Sequence, residues 1–329
     1  MKTTAYRNNR RRFITTLLCY TFIFTFRAGG QDVTYPYPLH HIEISFDDTV
    51  VSMAYMDVKP EQSNGKTILL LHGKNFSGYY WKVIIPDLLR NGFRVIAPDQ
   101  VGWGHSGKPV GSYSFHQLAR NTLTLLDTLK IPSTIVVGHS MGGMLATRFT
   151  IMYPTRVEKL VLENPIGLED YRRFVPHRPI SILVAGERKA TYASYKKYQE
   201  SYFPVWKPEY EQYVQAQAEQ LHDPAFHGTI ARVNAITYDM IYQQPVCYEW
   251  DRITVPVLLI IGQEDRTVVG KDQLTEVQKK KYGQYPTLGK RTQKLIPNAK
   301  LIELTGVGHI PHVQEPTSFT KYLVAFVTQ

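Results

Sequence analysis

Short apolar runs alternate with segments of helical periodicity along most of this chain, and this alternation constrains the fold more than any other feature. A strand buried on both faces of a sheet needs such a run, whereas a strand with one solvent face alternates apolar and polar residues. The runs are Thr67–Leu71, Phe93–Ala97, Thr134–Val137, Val157–Leu162, Val257–Ile261 and Lys300–Leu304. Helical spacing is found in Trp81–Arg90, Phe115–Leu129, Met141–Met152 and Pro316–Val327. Strands separated by helices predict an α/β fold with a mostly parallel sheet and right-handed crossovers.

Two further features complete the predicted architecture. His41–Phe46 and Val50–Asp57 alternate as an antiparallel hairpin does, which brings the sheet to eight strands. Between residues 167 and 250 the strand pattern disappears, and the segment reads as helices at Tyr192–Tyr202, Pro208–Leu221 and Thr229–Tyr242. We expect a core of residues 38–166 and 251–329, with 167–250 as a helical lid over the carboxyl ends of the strands, where such sheets bind ligands.

The first thirty residues are similar to an export signal. Basic residues up to Arg12 precede an apolar stretch from Phe13 to Phe26, and Ala28-Gly29-Gly30 supplies small residues for cleavage. Arg10-Arg11-Arg12 before a large apolar residue resembles a twin-arginine signal. We expect residues 1–30 to be a signal peptide of an exported protein, periplasmic or secreted. An uncleaved N-terminal membrane anchor is the alternative.

Charge and cysteine content exclude several classes of partner. The formal net charge is +10, but residues 1–30 supply most of it, and Lys279-Lys280-Lys281 is typical of a solvated helix face. We therefore expect no nucleic-acid partner, and no stable membrane insertion after signal cleavage. Cys19 lies in the signal and Cys247 stands alone, so neither an intrachain disulfide nor a Cys/His metal cluster can form. We expect no metal and no cofactor, and the oligomeric state stays open.

A nucleophile motif lies directly between an apolar strand and an apolar helix. Gly138-His139-Ser140-Met141-Gly142 matches G-x-S-x-G, and Gly143 follows it. In such a turn the serine is raised above the sheet on a strained backbone, and glycines let neighbouring chain approach. The N-terminus of the helix offers N–H groups to a developing oxyanion. Ser140 is the predicted nucleophile.

Two other motifs extend the pattern. His72-Gly73-Lys74-Asn75 follows the first buried run, and Asp99-Gln100-Val101-Gly102-Trp103-Gly104-His105-Ser106 follows the second. With G-x-S-x-G these occur in the order found in α/β-hydrolases, which the chain resembles over about residues 40–329. The resemblance is to the serine-nucleophile branch, with a lid like those of epoxide hydrolases and carbon–carbon bond hydrolases. It implies the α/β-hydrolase fold, with helices on both faces of the sheet.

The resemblance also implies a base, since a serine hydroxyl is a weak nucleophile at neutral pH. His309 follows the last predicted strand within Gly306-Val307-Gly308-His309, which is where the family places its histidine. His312 is the nearby competitor. We expect His309 to activate Ser140.

The family's chain order of serine, acid, histidine implies an acid after the strand Val257–Ile261. Asp265 is the expected acid, and its neighbour Glu264 is expected to face solvent. A long segment around 271–294 separates Asp265 from the histidine, so an acid after the fourth buried run, Glu163 or Asp170, is the alternative.

The resemblance assigns the oxyanion hole to the backbone N–H groups of Lys74 and Met141. It implies an acyl-enzyme mechanism on a small or medium, apolar carboxylic ester, without a cofactor. A carbon–carbon bond hydrolase, a lactonase or an amidase is the alternative, and a non-catalytic ligand-binding member is a more distant one. Epoxide hydrolases and haloalkane dehalogenases of this architecture use aspartate where Ser140 stands. The expected substrate-binding residues are His72, Gly73, His139, Tyr171, Tyr195, Tyr238 and Tyr242.

Overall fold

The computed structural model describes Met1 and residues 33–329, so the predicted export signal lies outside the described residues apart from Met1. The described strands are β1 (Leu39–Phe46), β2 (Thr49–Val58), β3 (Thr67–Leu71), β4 (Arg94–Pro98), β5 (Thr134–His139), β6 (Val157–Glu163), β7 (Val257–Gly262) and β8 (Ala299–Leu304).

These strands form one sheet in the order β1-β2-β4-β3-β5-β6-β7-β8. β1 pairs antiparallel with β2, and β2 pairs antiparallel with β4. All other neighbours are parallel. The mostly parallel eight-stranded sheet with an opening hairpin is confirmed, and each predicted strand agrees with its observed counterpart to within two residues at either end.

The helices cover both faces of the sheet, as expected. They are α1 (Ile85–Arg90), α2 (Phe115–Thr128), α3 (Met141–Met152), α4 (Ile180–Glu187), α5 (Tyr192–Glu200), α6 (Glu211–Ala218), α7 (Ala231–Gln243), α8 (Glu276–Lys281), α9 (Tyr285–Leu295), α10 (Pro311–Gln314) and α11 (Pro316–Val327). α1 and α11 pack on one face, and α2, α3 and α9 pack on the other.

Strand β3 shows why the buried runs are continuous. Leu69 and Leu71 belong to the core on the α2–α3 side, whereas Ile68 and Leu70 belong to the core on the α1–α11 side. Successive side chains of a strand point to opposite faces, so a sheet covered on both faces requires apolar residues at every position.

Some helices differ from the prediction. Predicted helix Trp81–Arg90 is a 3-10 turn, Gly78–Val83, followed by α1, in whose first turn Pro86 lies. Proline suits that position because it has no N–H to donate. α4 and the pair α8–α9 were not predicted. α4 is largely apolar, but only Val184 is buried, so it lacks the periodicity of an amphipathic helix.

The segment between β6 and β7 contains α4, α5, α6 and α7. The predicted helix Pro208–Leu221 is α6 with a 3-10 turn at each end, and Thr229–Tyr242 is α7 preceded by a π-helical turn, Phe226–Ile230. In residues 33–329 none of the helices combines the length and apolar character needed to cross a bilayer.

At Gly142, the first turn of α3 approaches the end of β3 closely. A Cβ placed there would lie 2.0 Å from the carbonyl oxygen of Leu71, so no side chain fits without moving backbone. We expect Gly142→Ala to lower the free energy of unfolding by about 3 kcal/mol or more, measured by urea denaturation.

Gly186 provides the control, because a Cβ there meets nothing within 4 Å and the residue lies in α4. Gly186→Ala should raise the free energy of unfolding by about 0.5–1 kcal/mol through helix propensity. Equal urea midpoints for Gly142→Ala and the unaltered chain would contradict the packing argument.

Candidate active site

Ser140 lies at the turn from β5 to α3 and has φ 54° and ψ −120°, a conformation that is strained for any residue with a side chain. The glycines around it allow this turn: a Cβ on Gly138 would lie 2.3 Å from the carbonyl oxygen of Gly142. Backbone bonds hold it as well, since the N–H of Ser140 donates to the carbonyl of Glu163 at 3.2 Å. The turn places the hydroxyl at the carboxyl end of the sheet.

His309 lies in the loop between β8 and α10 and reaches Ser140 across the sheet. Its Nε2 is 2.9 Å from Oγ of Ser140, and its Nδ1 is 2.6 Å from Oδ2 of Asp265. All three residues are buried. With Nδ1 donating to the carboxylate, Nε2 is left as the acceptor for the serine proton. The arrangement can therefore activate a hydroxyl as a nucleophile.

Asp265 follows β7 and is held by several donors. Besides His309, the side-chain amide of Asn164 donates to Oδ2 at 2.7 Å, and the N–H of Thr267 donates to Oδ1 at 2.8 Å. Burial alone would raise the pKa of Asp265, but the facing His309 and these hydrogen bonds outweigh it, so the pKa lies below its ordinary value. The carboxylate is thus charged at neutral pH and can stabilise a protonated imidazole.

The alternative acids, Glu163 and Asp170, and the alternative base, His312, have other partners than Ser140 and His309. Glu163 accepts from the N–H of His312 at 2.7 Å and from its Nδ1 at 2.9 Å, so these two residues pair with each other. Asp170 forms an ion pair with Arg172. Glu264 is exposed, as expected.

The turn that follows β3 lies beside Ser140. A Cβ on Gly73 would be 3.2 Å from Cβ of Ser140. The Gly73 carbonyl accepts from Nδ1 of His72 at 2.9 Å and from the N–H of Phe76 at 3.1 Å. Because C=O and N–H of one peptide point in opposite directions, these bonds direct the Lys74 N–H away from the turn. Within residues 33–329, neither that N–H nor that of Met141 donates a hydrogen bond to another group.

A cavity of about 540 Å³ opens at Ser140 between the sheet and the helices α4–α7. Among residues 33–329, eight tyrosines contribute to its wall: Tyr35, Tyr79, Tyr80, Tyr195, Tyr198, Tyr202, Tyr213 and Tyr238. Charged side chains also line it: Lys74, Lys108, Glu187, Lys189, Glu219 and Asp223. The wall is therefore aromatic and polar together.

Of the expected substrate-binding residues, only Tyr195 and Tyr238 line this cavity. The hydroxyl of Tyr171 accepts from the N–H of Gly167, and that of Tyr242 donates to the carbonyl of Val175, so both tyrosines point into the packing of the helices. These two expectations need correction.

His72, Gly73 and His139 also lie outside the cavity wall. His72 is fully buried, and its Nε2 accepts from the N–H of Gln100 at 2.9 Å, which joins the end of β3 to the loop after β4. His139 is buried beneath the turn of Ser140. The imidazoles of His72 and His139 form hydrogen bonds with backbone groups and do not face the cavity.

Tyr202 and Asn75 were missed in the sequence. The carbonyl of Tyr202 accepts from the N–H of His309 at 2.7 Å, and the two rings lie 4.7 Å apart. The side chain of Asn75 donates to the hydroxyl of Tyr202 at 3.0 Å. Tyr202 follows α5, so the helical segment contacts both the His309 loop and the turn after β3. Asn75 ends the motif His72-Gly73-Lys74-Asn75, but that motif does not report its contact with Tyr202, which no motif marks.

Comparison with known proteins agrees with this geometry. The sequence profile of the alpha/beta hydrolase fold matches residues 66–316. The chain belongs to the alpha/beta hydrolase fold family. A probable hydrolytic enzyme from Pseudomonas aeruginosa, known from a crystal structure, is 43% identical to this hydrolase, with a TM-score of 0.87 over 89% of this chain and 95% of that one.

Two further similar proteins have lower sequence identity. Bifunctional epoxide hydrolase 2 of Mus musculus is 34% identical over 35% of this chain, a match that spans only 22% of that protein's length. The enol-lactonase from Burkholderia xenovorans is 24% identical, with a TM-score of 0.68 over 85% of this chain and 97% of that one, and this likeness shows the fold alone.

The buried pair of Glu163 and His312 gives this site a testable pH dependence. Burial raises the pKa of Glu163 to about 7, although His139, the N–H of His312 and His309 oppose the increase. Burial also lowers the pKa of His312. Between its ordinary pKa of 4.5 and about 7, Glu163 therefore holds its proton more tightly in the folded chain than in the unfolded chain.

That stabilisation is present at low pH and is lost as the pH rises through about 7. We expect the free energy of unfolding of the unaltered protein, minus that of Glu163→Gln, to fall by about 1–3 kcal/mol between about pH 5 and pH 8. Urea denaturation across the pH range measures it. Glu43→Gln, at an exposed position on β1, is the control variant. A difference that rises with pH for Glu163→Gln would contradict the argument.

Proposed function

We propose that this protein is a serine hydrolase that cleaves carboxylic esters through an acyl-enzyme on Ser140. The observation that supports it best is the chain of short contacts from Oγ of Ser140 to Nε2 of His309, at 2.9 Å, and from Nδ1 of His309 to Asp265, at 2.6 Å. This serine borders the cavity.

In the first step, Oγ of Ser140 attacks the ester carbonyl while Nε2 of His309 takes the serine proton. The carbonyl oxygen becomes an oxyanion, which the N–H groups of Lys74 and Met141 stabilise. One such donor typically contributes about 3–4 kcal/mol to the transition state. The imidazolium then gives its proton to the alcohol as the carbon–oxygen bond breaks, and the acyl group stays on Ser140.

In the second step, water attacks the acyl-enzyme while His309 takes one of its protons. The tetrahedral intermediate collapses, His309 returns the proton to Oγ, and the carboxylic acid leaves. The net reaction consumes one ester and one water. Asp265 keeps its negative charge throughout, because its pKa is held below the ordinary value by His309 and the hydrogen bonds described above, against the effect of burial.

The cavity wall modifies the expected substrate. The sequence suggested an apolar ester, but a wall of eight tyrosines with lysines and acids among them offers hydroxyls and charges as well as rings. A volume of about 540 Å³ is suited to a small or medium molecule. We therefore favour an ester that carries an aromatic or polar group over one with a long aliphatic chain.

The nucleophile is tested by chemical labelling. A fluorophosphonate probe should label the purified protein, and Ser140→Ala should be neither labelled nor active on p-nitrophenyl esters, because the attacking oxygen is gone. Ser45→Ala, at an exposed position on β1, should keep both properties. Labelling that persists in Ser140→Ala would remove Ser140 as the nucleophile. An unaltered protein that is not labelled at all would favour a non-catalytic ligand-binding member of the family.

The substrate class is tested with a panel of esters. We expect kcat/KM for p-nitrophenyl phenylacetate to exceed that for p-nitrophenyl octanoate by about tenfold, because an aromatic acyl group can pack against the tyrosine rings. Tyr238→Leu should reduce this ratio, whereas Tyr242→Phe, outside the cavity, should leave it unchanged.

A preference for the octanoate would contradict the substrate class. A meta-cleavage dienoate that is hydrolysed with a higher kcat/KM than every ester would instead assign the protein to the carbon–carbon bond hydrolases.

A further inference from the structure

A chain of buried hydrogen bonds lies under Ser140, and no step of the proposed reaction uses it. The N–H of Gly73 donates to the hydroxyl of Tyr80 at 3.0 Å. That hydroxyl lies 3.0 Å from Nδ1 of His139, and Nε2 of His139 lies 2.8 Å from the carbonyl oxygen of His309. Tyr80, His139 and His309 are each no more than 1% exposed.

The chemistry of these groups sets the direction of every bond. A carbonyl oxygen only accepts, so Nε2 of His139 carries the hydrogen that bonds His309. In a neutral imidazole Nδ1 is then the acceptor, and it takes the single hydroxyl hydrogen of Tyr80. The oxygen of Tyr80 remains free to accept from Gly73. Burial, helped by the neighbouring His309 and His312, lowers the pKa of His139 to about 3, which keeps this ring neutral.

This network joins the three loops on which the proposed reaction depends. Gly73 immediately precedes Lys74, whose N–H is one proposed oxyanion donor. His139 immediately precedes Ser140, and the carbonyl that it binds belongs to His309 itself. A single side chain in the nucleophile turn therefore connects the oxyanion turn on one side with the base loop on the other.

We propose that His139 is a positioning residue, which through Tyr80 and the His309 carbonyl holds the oxyanion turn and the base loop at their working distances from Ser140. The proposal rests on the proposed function, since it assigns His139 a part in that same reaction. It replaces the expected role of His139 in binding substrate.

The alternative is that His139 only fills space. Its ring packs against those of His309 and His312, with centroids 4.8 and 5.6 Å away, so a large change would disturb the core for reasons unrelated to hydrogen bonding. A decisive test must therefore separate the loss of a hydrogen bond from the loss of packing.

Glutamine and asparagine provide this comparison. The amide nitrogen of Gln takes the place of Nε2 and can donate to the His309 carbonyl, whereas the amide of Asn takes the place of Nδ1 and can reach only Tyr80. We expect His139→Gln to keep kcat for a p-nitrophenyl ester within about tenfold of the unaltered enzyme, and His139→Asn to lose about 100-fold, because a displacement of about 1 Å has effects of this size. KM should change little in either variant, since the cavity wall is intact.

Tyr80→Phe provides a second, independent variant, because it deletes one oxygen and keeps the ring. It should lower kcat by about tenfold or more, and the rate of fluorophosphonate labelling of Ser140 should fall in parallel. Thermal melting of all three variants separates folding from positioning.

Equal kcat values for the Gln and Asn variants, or losses of kcat that simply follow the melting temperature, would overturn the positioning role while leaving the proposed function intact. Absence of esterase activity and labelling in the unaltered protein would instead overturn the proposed function, and the positioning role with it. The proposal would be supported if His139→Gln keeps its kcat and His139→Asn loses it while the two variants melt at similar temperatures.

Discussion

The close approach of α3 to the end of β3 is the constraint on which the site depends. Gly142 lies so near the carbonyl oxygen of Leu71 that there is no space for a side chain. This contact brings the first turn of α3 beside the turn that follows β3. Ser140, at the start of the helix, is thereby held next to Gly73, and the strained backbone of the serine is maintained by packing on both sides.

The parallel sheet supplies the rest of the geometry. β5, β7 and β8 run in the same direction, so the loops after them all emerge at one edge. Ser140, Asp265 and His309 lie far apart along the chain and meet there because each follows the end of a strand. Asn164, after β6, connects the loops by donating to Asp265, and its side-chain oxygen accepts from the N–H of Gly262 at 2.9 Å.

The strands, and the meeting of Ser140, His309 and Asp265, could be predicted because local patterns and family order carry that information. The buried apolar runs indicate a sheet that is covered on both faces. Ser140, Asp265 and His309 each lie in the turn or loop that follows such a run. α4 and α8 could not be predicted, because a largely apolar helix with only Val184 buried and a polar helix of six residues lack a clear periodicity. α9 was missed although Tyr285, Leu288 and Thr292 are buried at helical spacing along it.

The partners of individual side chains were beyond the sequence for a different reason. Tyr202 and His309 are 107 positions apart, and His139 and His309 are 170 apart, so no local pattern reports that they touch. Four tyrosines of residues 167–250 were expected to bind substrate, and two of them, Tyr195 and Tyr238, line the cavity. Which tyrosines face the cavity depends on helix rotation, and Tyr171 and Tyr242 turn inward to satisfy backbone groups.

The contact between Tyr202 and the loop that carries His309 restricts how these two segments can move apart. A Cβ on Gly308 would lie 2.1 Å from the Tyr202 carbonyl oxygen, so the loop carries glycine where the helical segment presses on it. The amide of His309 completes the contact. The segment that carries Tyr202 cannot move away from the sheet here without breaking its hydrogen bond to the N–H of His309. A displacement of this segment would therefore also release the backbone that carries the His309 ring.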